Sequence, residues 1–289
     1  MKKHPKVLFL FTALSFVITL SSAYALTLRL NQSKIRLIIN PGETKTGVIE
    51  VENPTDQNLI VKASLEDWIY SPAGDGTKEF SPPDTTRFSC AGWISFFPAE
   101  FVMTPFSKQK LNYTIKAPLQ FETGRYAVLF FETSMSKPEM KEGVGMNLVV
   151  RIGSIFYMEP GSLTKRQAEI DNLSLKTGTK DKSLDLSLDI KNTGNVDIQT
   201  SANFSIMDDK GLVFARGAFN DTFTFPGESV KLLSGWRERL PAGKYDLVIT
   251  VDLGKALEES GLGRGPVILK ESQIEIGENG EVLKTGELK

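Results

Sequence analysis

The chain has 289 residues, of which 40% are hydrophobic and 24% are charged, and its formal net charge is −1. This length suits about two domains, and the composition is ordinary for a globular protein. The near-neutral charge excludes the broad basic surface of a typical nucleic-acid-binding protein. Cys90 is the only cysteine, so an intramolecular disulfide is excluded, and we expect a buried, inert thiol.

The first 25 residues have the pattern of a secretory signal peptide. A basic head of three lysines precedes the apolar residues 7–20, and Ala23-Tyr24-Ala25 has the small-x-small pattern of a cleavage site. The apolar stretch is short for a membrane span. We therefore expect a soluble, exported protein that begins at Leu26 and works in the periplasm or at the cell surface.

Cleavage at this site would limit the chemistry of the mature chain. It removes the only histidine, His4, and three lysines without any acid, so the formal charge falls from −1 to −4. A chain without imidazole cannot use a Ser-His-Asp or Cys-His mechanism and lacks the commonest metal ligand. The adjacent pairs Glu66-Asp67 and Asp208-Asp209 would point to opposite faces of a strand. We therefore predict no enzyme activity, no metal and no cofactor.

From Leu26 onwards, short alternating strands follow one another without interleaved helices. Residues 71–89 are rich in Pro, Gly, Ser, Thr and Asp, which predicts a long loop. This pattern favours an antiparallel β-sandwich. The strands predicted in the first half are 28–39, 47–52, 59–68, 93–97, 100–103, 110–117 and 125–132.

Residues 143–160 form an apolar alternating strand at the end of the first half. One face carries Met146, Leu148, Val150 and Ile152, and the other carries Arg151, a lone basic residue. Pro160-Gly161 closes the stretch. Such a strand at a domain edge is either completed by its own sheet or offered to another chain. The pattern leaves both alternatives open.

The second half repeats the outline of the first. Thr123-Gly-Arg-Tyr126 matches Ala242-Gly-Lys-Tyr245, and both tyrosines have the position of a tyrosine corner. The fold class predicted is all-β, with two immunoglobulin-like antiparallel β-sandwich domains in tandem after the signal peptide. The boundaries predicted are 1–25 for the signal peptide, 26–160 for the first sandwich, 161–168 for a linker, 169–277 for the second sandwich and 278–289 for a tail.

The first half, residues 26–160, resembles the N-terminal domain of PapD-like periplasmic chaperones of the chaperone–usher pilus pathway. The resemblance lies in the following segments, in order: an early strand with Arg36 that runs into Pro41-Gly42-Glu43, then Val51–Asp56, Trp93–Pro98, Phe101–Pro105, Lys110–Thr114 and the closing strand with Ile155-Phe156-Tyr157 and Pro160.

In that family the last strand completes the incomplete fold of a pilin, and two basic residues hold the C-terminal carboxylate of the pilin. The resemblance implies that Arg36 is the first of these residues. The second position lies nearer Ser154 than Arg151, so Arg151 matches only with a bulge or a different strand register. Loop 71–89 departs from the family pattern. The second half resembles generic bacterial immunoglobulin-like surface domains.

Three classes of function follow from these observations. The first is a periplasmic chaperone that binds pilin-like or other secreted subunits by strand addition, together with an outer-membrane usher if one exists. Its partner-binding residues would be Arg36, Arg151, Met146, Leu148, Val150 and Ile152. The second is a structural or adhesive sandwich protein of the cell surface. The third is an enzyme, which the missing imidazole disfavours.

Overall fold

A computed structural model describes residues 28–135, 148–178 and 183–289. The side chains of Met135 and Leu148 are outside this description. The predicted signal peptide, the predicted first mature residue Leu26 and the candidate Met146 also lie outside the described residues.

The first module is built from ten strands that alternate in burial, as the sequence pattern predicts. Ile49 and Val51 are fully buried, whereas Val48, which precedes Ile49, is 41% exposed. The strands are β1 (Arg29–Leu30), β2 (Lys34–Ile38), β3 (Thr44–Glu52), β4 (Leu59–Tyr70), β5 (Lys78–Ser81), β6 (Ile94–Phe97), β7 (Glu100–Met103), β8 (Lys108–Lys116), β9 (Arg125–Met135) and β10 (Leu148–Glu159).

These strands form two sheets that enclose one hydrophobic core. One sheet has the order β1-β3-β8-β6, and the other has the order β2-β10-β9-β4-β5 with β7 beside β4. The pairing is antiparallel except between β2 and β10, which run parallel. Strand β5 lies within residues 71–89, so the segment predicted as a loop contributes an edge strand to the sheet.

The second module has nine strands and one short helix. The elements are β11 (Ala168–Thr177), β12 (Leu184–Asn192), β13 (Ile198–Met207), β14 (Val213–Ala218), β15 (Thr222–Thr224), β16 (Ser229–Trp236), β17 (Gly243–Asp252), α1 (Lys255–Glu259), β18 (Val267–Ile276) and β19 (Val282–Thr285). The sheets have the orders β11-β12-β16 and β14-β13-β17-β18-β19, with β15 beside β13. The predicted all-β fold of two immunoglobulin-like sandwiches is confirmed. The segment 278–289, predicted as a tail, contains β19.

The two modules are joined by a shared aromatic cluster. Trp68, Tyr70 and Tyr126 of the first module pack around Phe225 of the second, and all four side chains are buried. The centroids of the Tyr70 and Phe225 rings are 4.8 Å apart. Buried aromatic rings in such tilted and edge contacts add to the stabilisation from area burial. The cluster therefore fixes the outer face of the second sheet of the first module against the second module.

The two predicted tyrosine corners differ in structure. The hydroxyl of Tyr245 donates to the carbonyl of Pro241 at 2.8 Å, which is the local contact expected of a tyrosine corner. The hydroxyl of Tyr126 instead accepts the backbone N–H of Asp197 in the second module at 2.7 Å. Tyr126 is thus a contact between the modules.

Candidate partner-binding edge

Strand β10 has two halves with different neighbours. From Ile155 to Met158 it pairs with β9 on one side and with β2 on the other, and Glu159 pairs with β2 alone. From Leu148 to Ser154 it pairs with β9, and no described strand pairs with its other side. We call residues 148–153 the open edge of β10.

The hydrogen-bonding groups of this open edge can be assigned from the strand period. The backbone N–H of Ile155 donates to the carbonyl of Ser33 at 2.9 Å, on the side of β2. Because successive residues of a strand direct their backbone groups to alternate sides, Val149, Arg151 and Gly153 direct theirs away from β9. No described strand uses their N–H and C=O groups.

The side chains predicted to contact a bound subunit lie on the inner face of the sheet. Val150 and Ile152 share this face with Phe156 and Met158, which are fully buried in the core of the first module. Ile152 packs against that core and is half-buried. Leu148 is described by its backbone alone. The structure therefore places Val150 and Ile152 on one face of the open edge, where both are half-buried.

Arg151 lies on the opposite face of β10 from Val150 and Ile152. Its guanidinium forms an ion pair with Glu66, and its central carbon is 3.6 Å from the centroid of the Phe130 ring. The pairing of β10 with β9 shows no register shift, so the bulge that would move Arg151 to the family position is absent from the described pairing. Arg151 is a partly exposed arginine that already has a carboxylate partner.

Arg36 lies on β2 in a buried ion cluster between the modules. Its side chain is only 1% exposed, and it donates to both carboxylate oxygens of Asp197 at 2.9 and 2.7 Å. It also pairs with Glu159, which accepts a further bond from Arg166. Two arginines thus face two carboxylates, and the cluster is balanced in charge.

The ionisation of this cluster follows from its pairing. Burial acts to raise the pKa of Asp197, but the adjacent guanidinium of Arg36 outweighs burial and holds that pKa below its usual value. Burial also acts to lower the pKa of Arg36, and the two carboxylates more than reverse this effect. Arg36 and Asp197 are therefore both charged at neutral pH, and the Arg36 guanidinium is already paired with carboxylates of its own chain.

The structure does not bring the two predicted anchors together. Arg36 lies beside Tyr157, and Arg151 is six residues earlier on β10. Six strand residues span about 20 Å, which is too far for one carboxylate to bridge. Each arginine is engaged by carboxylates of its own chain.

The sequence analysis missed Lys34, which stands where the open edge ends. It is the first residue of β2 and pairs in register with Ile155. Its ammonium lies 3.3 Å from a carboxylate oxygen of Glu259 and 5.5 Å from the centroid of the Tyr157 ring. Lys34 is two residues before Arg36 and therefore on the same strand face. This spacing of two residues was the signal in the sequence, because the strand face that carries Arg36 also carries Lys34.

Among the described residues, no helix is long and apolar enough to cross a membrane. The same residues contain no group of three or more His, Cys, Asp or Glu side chains placed to hold a metal ion.

Comparison with known proteins gives similar structures and no similar sequence. No family model matches the chain, and no curated protein matches it. The chain is similar to the class 5 fimbriae chaperone CfaA, with 11% identity over 84% of this chain and 97% of that chain and a TM-score of 0.48. It is also similar to a chain of a chaperone–tip adhesin complex of CFA/I fimbriae biogenesis, with 12% identity over 84% of this chain and 96% of that chain and a TM-score of 0.47. A third similar structure is the E. coli chaperone DraB, with 15% identity over 84% of this chain and 95% of that chain and a TM-score of 0.42. These proteins are PapD-like fimbrial chaperones, the group that the first half of the sequence resembles.

Proposed function

We propose that the protein is a periplasmic chaperone that binds pilin-like or other secreted subunits by adding a subunit strand to the open edge of β10. The observation that carries this proposal is the row of outward backbone groups at Val149, Arg151 and Gly153, which has no described strand beside it. Strand addition uses such main-chain groups for affinity and neighbouring side-chain pockets for specificity. An outer-membrane usher would be a further partner in this role.

The direction of β2 suggests the direction of the added strand. Strand β2 runs parallel to β10 and begins at Lys34, so the place beside the open edge is in line with it. A subunit strand that filled this place in the same direction would end beside Lys34. Its terminal carboxylate could then form a charge-assisted hydrogen bond with the Lys34 ammonium. Lys34 suits this role better by position, because it stands where the open edge ends, and its own carboxylate partner, Glu259, is 44% exposed.

The inner-face residues Val150 and Ile152 supply the apolar part of the proposed contact. Both are half-buried, and Ile152 packs against the core, so an added strand would cover the part of each side chain that remains exposed. Each side chain buried on binding would add stabilisation in proportion to the apolar area covered.

A proline substitution at the open edge tests strand addition. Val149→Pro removes an N–H that faces away from β9, so the free protein should keep its fold, with a change of less than about 1 kcal/mol in the free energy of unfolding. The same change should abolish a one-to-one complex with a co-expressed pilin-like subunit, measured by size-exclusion chromatography and by hydrogen exchange at Arg151 and Gly153.

Val150→Pro is the matched control on the paired side of the strand. It removes an N–H that bonds to β9, and it should cost about 1–3 kcal/mol of stability in the free protein. If Val149→Pro leaves complex formation unchanged, addition at this edge is contradicted, and a structural or adhesive role for the sandwich modules becomes the better explanation.

A further inference from the structure

Residues 71–89, the segment that departs from the family pattern, are a folded part of the first module. The segment begins with a turn, in which the backbone N–H of Ser71 donates to the carbonyl of Thr77 at 2.8 Å. Strand β5 then returns along β4 and ends at Ser81, which stands opposite Asp67. The position of the turn is therefore set by the sheet of the first module.

The end of this segment is tied back to β4 by one buried carboxylate. Asp67 is fully buried, and it accepts the backbone N–H groups of Thr85 and Thr86 at 2.9 and 2.8 Å. It also accepts the hydroxyls of Thr86 and Ser89 at 3.1 and 2.6 Å. Such partners are needed because an unpaired carboxylate is costly away from water. Asp67 thus fixes residues 85–89 on the first module.

The turn at the start of the segment fits closely against the second module. The carbonyl of Gly74 accepts the backbone N–H of Phe223 at 2.9 Å. A Cβ atom added to Gly74 would stand 2.7 Å from a methyl carbon of Val230. A Cβ atom added to Gly76 would stand 2.6 Å from a ring carbon of Phe223. Both distances are too short for carbon atoms in contact, so the fit requires glycine at both positions.

The end of the segment contacts the same part of the second module. The Arg87 guanidinium donates to the carbonyl of Pro226 at 2.8 Å, and its central carbon is 4.3 Å from the ring centroid of Phe88. The ring centroids of Phe88 and Phe225 are 5.5 Å apart. Residues 223–230 of the second module are therefore contacted by both ends of this segment.

We propose that residues 71–89 are a clasp, by which the first module holds residues 223–230 of the second module in place and couples the two modules. Phe225 is buried in the aromatic cluster of the first module, and Phe223 packs against that cluster. Neither is among the core residues described for the second module. The burial of this part of the second module thus depends on contacts outside its own sandwich.

The clasp has a consequence for any partner that contacts both modules. Because the two modules are coupled before a partner arrives, less conformational freedom is lost on binding. The clasp is also separate from the proposed strand addition. Strand β5 lies at the far side of the sheet from the open edge, with β4 and β9 between β5 and β10.

Alanine at a glycine of the turn tests the clasp in the full chain. Gly76→Ala places a methyl group against the Phe223 ring. Gly211→Ala is the matched control, because φ is 86° at Gly76 and 79° at Gly211, and a Cβ atom added to Gly211 meets no neighbouring atom within 4 Å. Both changes carry the backbone strain of a positive φ, so their difference measures the contact. Gly76→Ala should lower the Tm by at least about 2–4 °C more than Gly211→Ala.

Hydrogen exchange shows whether the effect of Gly76→Ala reaches the second module. The Phe223 amide donates to Gly74, so it should exchange about tenfold faster in Gly76→Ala than in Gly211→Ala. The amide of Leu247, a buried residue of the central strand β17, is the internal reference. A general loss of stability would accelerate both amides by the same factor, whereas release of the clasp accelerates Phe223 more.

The double variant Gly76→Ala/Phe223→Ala tests the contact itself. Without the ring the added methyl group has nothing to meet, so in the Phe223→Ala background Gly76→Ala should lower the Tm no more than Gly211→Ala does. Equal effects of Gly76→Ala and Gly211→Ala in the unsubstituted chain would overturn the clasp. It would also be overturned by an extra loss that persists without the ring, or by a Phe223 amide that accelerates only as much as that of Leu247. None of these outcomes depends on whether Val149→Pro abolishes the subunit complex.

Discussion

The two halves of β10 differ in what surrounds them, although they belong to one continuous strand. Residues 155–158 have a partner strand on both sides and contribute Phe156, Met158 and Tyr157 to two buried clusters. Residues 148–153 have a described partner strand on one side only, and Val149 is 46% exposed. Residues 155–158 are packed into the molecule, and residues 148–153 have one edge without a described partner strand. One strand thus combines a buried part with an edge of the kind that the proposed strand addition requires.

One arginine lies beside or within each half of β10, and the two arginines differ in exposure as the two halves do. Arg36 lies beside the closed half with its side chain 1% exposed, whereas Arg151 lies in the open half with its side chain 32% exposed. Both form ion pairs. Burial decides how much each pair contributes, because solvent screens an exposed pair and an unpaired charge is costly only where water is excluded.

The largest effect is expected from Arg36→Ala. This change leaves Asp197 buried without its bidentate partner, and Glu159 keeps only Arg166. Breaking a buried ion pair by removing one member costs about 3–5 kcal/mol. Urea unfolding of the purified protein should show this loss, and Lys62→Ala should change stability by less than about 1 kcal/mol. A stability loss of similar size in both variants would contradict the assignment of Arg36 as a structural residue.

A smaller and reversible loss of stability is expected in acid, where the ion pair between Arg36 and Asp197 is lost by protonation. Because the pKa of Asp197 is lower in the folded protein than its ordinary value, its contribution to stability is complete above that ordinary value, about pH 4, and is lost as the pH falls through the lowered folded value. Thermal melts below about pH 4 should therefore show a loss that Asp197→Asn lacks. An acid dependence that is identical in Asp197→Asn would assign the loss to other carboxylates.

The smallest effect is expected from Arg151→Ala. The ion pair with Glu66 is partly exposed on both sides, so solvent screening limits its contribution to about 0–1 kcal/mol. Loss of the contact with the Phe130 ring adds about 0.5–1 kcal/mol at such a site. Urea unfolding measures the sum, and Glu66→Gln separates the ion pair from the ring contact. A loss of unfolding free energy as large as that of Arg36→Ala would mean that the ion pair of Arg151 stabilises the fold as much as the buried ion pair of Arg36 does.

The aromatic residues show where sequence patterns stop being informative. Alternation places Tyr157 and Trp68 on strands, and the Gly-basic-Tyr motif singles out Tyr126 and Tyr245 equally. Only the packing of the modules brings Tyr126 to Asp197 and leaves Tyr245 in its local corner. The period of a strand predicts which residues share a face, but it does not say whether solvent or another module covers that face.

The sequence by itself determined the all-β fold and the inward and outward alternation of the strands, because both depend on the local period of hydrophobic residues and on turn composition. It also determined that β10 is the strand to consider for a partner. The tertiary structure decided the state of the candidate residues. Arg36 is closed off by Asp197, a residue 161 positions away in the chain, and Lys34 meets Glu259 from a separate module. Such pairings between distant residues depend on how the two sandwiches pack, and no local pattern of residues encodes them.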